Sequence, residues 1–191
     1  LSAIGIGIAD LITIGLARKI GLINTGLWEK SLAILIVTPY FVLTTSGFEI
    51  VFEHWGLLVL LGFINLLTYL FLIRSLQIGP VSVIAPLTTL FSIVSLGLAY
   101  LFLDERLTYF QVIVITVALI GAAVTVLKPG KFNLVSSSLT AGVLLGFPAT
   151  LFVGAQFFLQ GAVSKQVGWF LGVYFPMMFS ILGFIPISFY K

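Results

Sequence analysis

The chain has 191 residues, of which 60% are hydrophobic and 8% charged, with a formal net charge of +3 and a mean hydropathy of +1.25. A water-soluble domain needs about a quarter of its residues charged to clothe its core, so a soluble fold is excluded and lipid-embedded segments are expected. The basic residues stand singly or in pairs, unlike the clustered groove that nucleic acid requires. Zero cysteines and the single His54 exclude disulfides, thiol nucleophiles and histidine-rich metal sites.

Seven apolar stretches predict spanning helices over 1–17, 31–47, 55–73, 81–103, 107–127, 139–163 and 167–190. At about 1.5 Å of rise per residue, such lengths match a hydrocarbon core of about 30 Å. Barrel strands would be shorter and would alternate in polarity, and no such alternation is present. The fold class is therefore all-α, a polytopic membrane helix bundle. The breaks between spans read "ARKIGLINTGLWEK", "GFEIVFEHW", "RSLQIGP", "LDERLT", "KPGKFNLVSSS" and "SKQVG". Gly79-Pro80 punctuates the third. In the fourth, Asp104, Glu105 and Arg106 would each cost about 2.5–3.5 kcal/mol at a helix centre, so they mark a turn at the membrane surface. Thr108 is placed to cap the helix that follows. Trp28, Trp55, Trp169 and Tyr190 fall near span ends, where amphipathic rings favour the headgroup region.

The hydrophilic stretch 129–138 divides the chain into 1–128, holding five spans, and 139–191, holding two. An internal duplication would pair span six with span one and span seven with span two. Superposing Gly7 on Gly146 sets Asp10 against Ala149, so the residues leave duplication open. The chain begins without methionine inside an apolar run and stops just after another, which reads as a piece of a longer protein.

Polar residues within the spans are the candidate functional groups. Asp10 lies inside span one, with Ala3, Gly7, Thr13 and Ala17 near the same helical face. Small residues there admit a second helix closely, and a carboxylate in that groove could carry a proton or bind a cationic solute group. The competing reading has Asp10 hydrated near the interface, or paired with Arg18 or Lys19. Gly62, Asn65, Thr68 and Tyr69 share a face of span three, where Asn65 either meets solute or joins two helices. In span four, Ser82, Pro86, Thr89 and Tyr100 fall in a narrow sector with Ser92 beside them. Pro86 frees the Ser82 carbonyl and kinks the helix, a device tolerated where a cavity or neighbour satisfies the backbone. Gln156 and Gln160 stack one turn apart beyond Pro148 and either line the same cavity or bond a neighbouring helix. Arg74 and Gln77, at the end of span three, are expected to snorkel to the interface.

Nothing in the chain assembles a catalytic constellation or a nucleotide fingerprint. "GIGIAD" lies within an apolar helix, where glycine means close packing. No enzyme activity and no cofactor are expected.

The stretch "RSLQIGPVSVIAPLTTLFSIVSLGLAYLFLDERLTYFQVIVITVALIGAAVTVL" resembles the drug/metabolite transporter superfamily of the EamA type. The similarity rests on a "G-P-x-S" entry, a proline in the next helix, and Glu105, Arg106, Leu107 and Thr108 of an "ERLT" turn. Asp104 stands where the family usually has glycine. "GIADLITIGLARKIG" is similar to the family's first helix, and the likeness covers 3–127 well. The resemblance implies ten helices in two inverted five-helix repeats, of which this chain holds the first repeat and two helices of the second. It also implies a central cavity to which Asp10, Thr13, Asn65, Tyr69, Ser82, Pro86, Thr89 and Gln156 would contribute, with Asp10 the proton-coupling candidate. The implied function is a secondary transporter moving a small metabolite, such as an amino acid, sugar or drug-like solute, across the plasma (inner) membrane by alternating access. Its partners are then a small-molecule solute and the lipid bilayer, with no nucleic acid and with a homodimer left open. A non-transporting scaffold or partner subunit is the alternative, and an intramembrane lipid-modifying enzyme a remoter one. Orientation is contested. Arg18, Lys19, Lys30, Arg74, Lys128, Lys131 and Lys191 lie after odd-numbered spans, against Arg106 and Lys165 on the other side. That bias puts the odd loops in the cytoplasm, whereas the family's usual cytoplasmic amino terminus puts them outside.

Overall fold

A computed structural model describes residues 2–44, 49–103, 108–126 and 137–189. All regular structure among them is helical: α1 Ser2–Ile20, α2 Leu22–Thr44, α3 Glu49–Glu53, α4 Trp55–Ile78, α5 Val81–Thr88, α6 Phe91–Leu103, α7 Tyr109–Val126, α8 Ser137–Val167 and α9 Trp169–Phe189. Five stretches are long and apolar enough to cross a bilayer: Leu22–Leu43, Trp55–Ile78, Val81–Leu103, Ala141–Val167 and Trp169–Phe189. α1 and α7 occupy the other two expected spans. α1 carries three charged residues, Asp10, Arg18 and Lys19, and the apolar part of α7 is the shorter run Tyr109–Gly121. The Asp104–Arg106 turn and most of the 129–138 linker lie outside the described residues.

Three boundaries differ from the sequence reading, each for a local reason. The expected loop 18–30 shrinks to Gly21, whose φ of 89° lets the chain reverse in one residue. α2 therefore starts at Leu22, and Trp28, Glu29 and Lys30 lie within the helix, the last two as an ion pair of 3.2 Å. The break before span three contains the short α3. Span four is two helices rather than one. Beyond Pro86 the backbone tightens to i→i+3 hydrogen bonds, Thr89 N–H to the Pro86 carbonyl and Leu90 N–H to that of Leu87, before α6 resumes. α7 opens as expected on Thr108, whose hydroxyl and backbone N–H both donate to Gln111 Oε1, closing one half of a capping box.

The bundle is organised around α4 and α8, which run antiparallel and meet most closely where Gly79 faces Gly142. α9 lies parallel to α4 and antiparallel to α2, and α5–α6 run alongside α8. Buried side chains form three layers. At one end, Phe41, Val51, Leu58, Leu61, Val163 and Leu171 gather with Tyr174. In the middle, Ala17, Ile23, Leu66, Tyr69, Ile73 and Phe184 pack together. At the other end lie Ile14, Leu76 and Ile84. The α1–Gly21–α2 hairpin turns at this last end, whereas α8–Gly168–α9, also reversed by a positive-φ glycine (85°), turns at the first. The two hairpins thus point in opposite directions.

Candidate functional site

The polar residues brought together come from α1, α2 and α4, where these three helices meet. Gly26 sets the geometry. A Cβ there would lie 2.8 Å from both the Tyr69 and Phe184 rings, so only glycine lets α2 press this closely on α4 and α9. That approach delivers the next turn of α2, carrying Glu29 and Lys30, to the neighbourhood of Tyr69. Lys30 Nζ stands 5.4 Å from the Tyr69 ring centroid, in reach of its π face, and bonds Glu29 Oε1 at 3.2 Å. From α1, Thr13 Oγ1 donates to Glu29 Oε2 at 3.3 Å, and Asp10, one turn earlier, lies within electrostatic reach of Glu29.

Tyr69 is the singular member. It is only 7% exposed, braced edge-on against Phe184 at 5.2 Å, and its hydroxyl has no hydrogen-bond partner among the described residues. The Glu29 carboxylate approaches that hydroxyl in a side-chain contact that falls short of good hydrogen-bond geometry. The adjacent Thr68, 8% exposed, also leaves its hydroxyl unpaired. Buried polar groups are nearly always satisfied, and one left unmet costs about 1–3 kcal/mol. The Tyr69 hydroxyl, beside the charged pair, therefore has hydrogen-bonding capacity left for a ligand.

Of the residues singled out from sequence, Asp10, Thr13 and Tyr69 join this cluster. Asp10 is exposed on α1 and forms no ion pair with Arg18 or Lys19 among the described residues. Asn65 is spoken for. Ser180 Oγ of α9 donates to its Oδ1 at 2.7 Å, so this amide joins two helices. Ser82 and Thr89 are exposed on the α5–α6 side, Thr89 bonding back to the Pro86 carbonyl of its own chain segment. Pro86 and Gln156 are half-buried there, away from the cluster. Thr150 of α8 satisfies part of the kink, reaching the Leu87 carbonyl at 3.4 Å. Glu29 and Lys30 were missed because they were read as loop charges. The signal was available: a Glu-Lys pair can be carried through a spanning helix once the two neutralise each other, and no proline separates Leu22 from them.

Arg74, exposed at the end of α4, and Gln77 join a set of hydrogen bonds there. Gln77 Nε2 donates to the Ala17 carbonyl and its Oε1 accepts from Arg74 Nη1 at 3.3 Å, while Arg18 Nη2 donates to the Leu76 carbonyl at 3.0 Å. These bonds tie the ends of α1 and α4 together.

An all-helical, multi-pass arrangement of long apolar helices is that of a polytopic membrane protein. Comparison with known families agrees. The model of the EamA-like transporter family matches residues 1–127. The chain belongs to that family. No curated protein and no solved structure matches it.

Proposed function

We propose that the chain is the solute-handling part of a secondary transporter, in which the α1–α2–α4 cluster binds a small metabolite that crosses the plasma membrane by alternating access. The observation that carries this reading is the buried Tyr69 hydroxyl, left without a well-formed hydrogen bond beside the Glu29–Lys30 pair. A solute hydroxyl, carbonyl or amine would meet it and recover the hydrogen bond it lacks. Two carboxylates, Asp10 and Glu29, face one ammonium, Lys30, so the cluster carries a net negative charge when all three are ionised. That balance favours an amine-bearing or otherwise cationic solute. It also gives Asp10 a role: a proton taken up there removes the excess charge when the solute leaves, so that proton and cation exchange. α8 and α9 supply the inverted counterpart of α1 and α2 in this scheme, as the first helices of a second repeat.

The scaffold alternative draws support from one contact, the dry Asn65–Ser180 bond, which we assign to helix packing. The test is uptake into proteoliposomes of radiolabelled amino acids, sugars and a lipophilic cation, driven by a pH gradient. Transport of at least one solute, lost in Lys30→Gln and uncoupled from the gradient in Asp10→Asn, is the expected result. Gradient-driven flux unchanged in Asp10→Asn removes the coupling role, and absence of flux for every solute favours the scaffold.

A further inference from the structure

We propose a second binding site, at the common end of α1, α2 and α4, that holds a phosphate-bearing anion between Arg18 and Arg74. The two arginines line one cleft of about 590 Å³ together with Ala17, Gly21, Gln77 and Ile187. Neither forms an ion pair with a carboxylate among the described residues. Each is instead oriented by a single neutral acceptor, Arg18 by the Leu76 carbonyl at 3.0 Å and Arg74 by Gln77 Oε1 at 3.3 Å. A guanidinium has five N–H donors in a fixed fork, so most of each fork is left for something else. Two such forks in one cleft match the bidentate geometry of phosphate oxygens. Their orienting bonds hold them there in advance of any ligand.

The rest of the cleft adds to the same field. Gly21 reverses the chain without a side chain, and Thr25 N–H already takes the Gly21 carbonyl as the first bond of α2. The amides of Leu22, Ile23 and Asn24 precede that bond, so they have no acceptor within the helix. A helix start of this kind adds partial positive charge. No acidic side chain among the described residues lines the cleft, and its other walls are aliphatic: Leu22, Ile23 and Ile78. A charged floor with apolar walls, at the end of a membrane bundle, fits a phosphodiester headgroup whose acyl chains continue along the helices. This site does not depend on the solute reading of the Tyr69 cluster.

The test uses the full chain purified in neutral detergent, with thermal unfolding as the readout. Short-chain phosphatidylglycerol, phosphatidylcholine and inorganic phosphate (sulfate as control) are added separately. A rise in midpoint with phosphatidylglycerol alone identifies the lipid. A rise with inorganic phosphate and not with phosphatidylglycerol identifies a soluble phosphate compound as the occupant. In either case Arg18→Gln/Arg74→Gln abolishes the response, and affinity falls about fivefold for each arginine removed. Should the double variant fail to fold, Arg74→Gln alone, whose hydrogen-bond partner among the described residues is Gln77, and Arg18→Lys carry the comparison. No response to any of the three ligands, equal responses to both lipids, or an undiminished response in the variants overturns the proposal.

Discussion

The α1–α2 and α8–α9 hairpins are built on one plan and used in two ways. Each reverses at a single positive-φ glycine, Gly21 or Gly168. Aligning those glycines also superposes Arg18 on Lys165 and Pro39 on Pro186. Yet α8 and α9 pack extensively against α4, while α1 meets chiefly α2 and α4 and reaches Ile84 of α5 through Ile14. The α1–α2 hairpin holds Asp10, Thr13, Glu29 and Lys30. The only charged residue on the α8–α9 hairpin is Lys165, and that hairpin packs through glycine and aromatic contacts such as Gly142 on Gly79 and Phe41 on Tyr174 at 4.5 Å. The lesson is a division of labour: closely packed small residues make the framework, and the α1–α2 hairpin, which packs less on α4 than α8–α9 does, carries the groups able to change partners.

Breaking the framework should have the largest effect. At Gly142 a side chain would meet backbone, 2.6 Å from Gly79 Cα and 2.9 Å from its nitrogen, and backbone cannot rotate away. Gly142→Val is expected to cost about 3 kcal/mol, the upper range for overpacking, read as lost folded yield and an earlier unfolding midpoint. Transport per folded molecule should stay near normal. Lys30→Gln reverses that pattern. It leaves Glu29 with only the Thr13 hydroxyl, lowers flux by about tenfold or more and destabilises by only about 1 kcal/mol, because the pair is partly exposed.

Smaller changes sharpen the same contrast. Ser180→Ala removes the donor to Asn65 from a fully buried site and should destabilise by about 1–2 kcal/mol with flux unchanged. Gly168→Ala places a Cβ on a residue at φ 85°, for about 1 kcal/mol of lost stability and no loss of transport. Tyr69→Phe should be the smallest in stability, neutral or slightly stabilising because it deletes an unsatisfied hydroxyl. It should nonetheless weaken solute affinity, read as a raised KM for uptake. A Tyr69→Phe that unfolds the protein would mean the hydroxyl already has a structural partner.

Much of the bundle was legible in the sequence because lipid leaves so few options: long apolar runs must be helices, and their charges must sit at turns or pair. The Gly79-Pro80 break and the Thr108 cap follow from backbone chemistry alone. Pro86 announced a kink, and the helix does break there. The site was harder. Asp10, Thr13 and Tyr69 stood out as isolated polar groups in apolar helices, but a helical wheel cannot say which neighbour faces them. Asn65 was read as solute-facing or adhesive with equal chemistry, and only the position of Ser180 decides between the two. Glu29 and Lys30 were hidden by a boundary error of about two turns, itself the consequence of a loop compressed into Gly21.

The absence of cysteine makes every introduced thiol a unique reporter. The most direct test of the account is therefore the reactivity of Thr13→Cys and Asn65→Cys, in membranes, toward a water-soluble, membrane-impermeant maleimide. The account predicts that position 13 labels readily and is protected by a transported solute, while position 65 stays unlabelled until the protein is unfolded. Thr13→Cys that reacts only with a lipid-soluble reagent would contradict it, since the cluster would then face hydrocarbon and not a solute path.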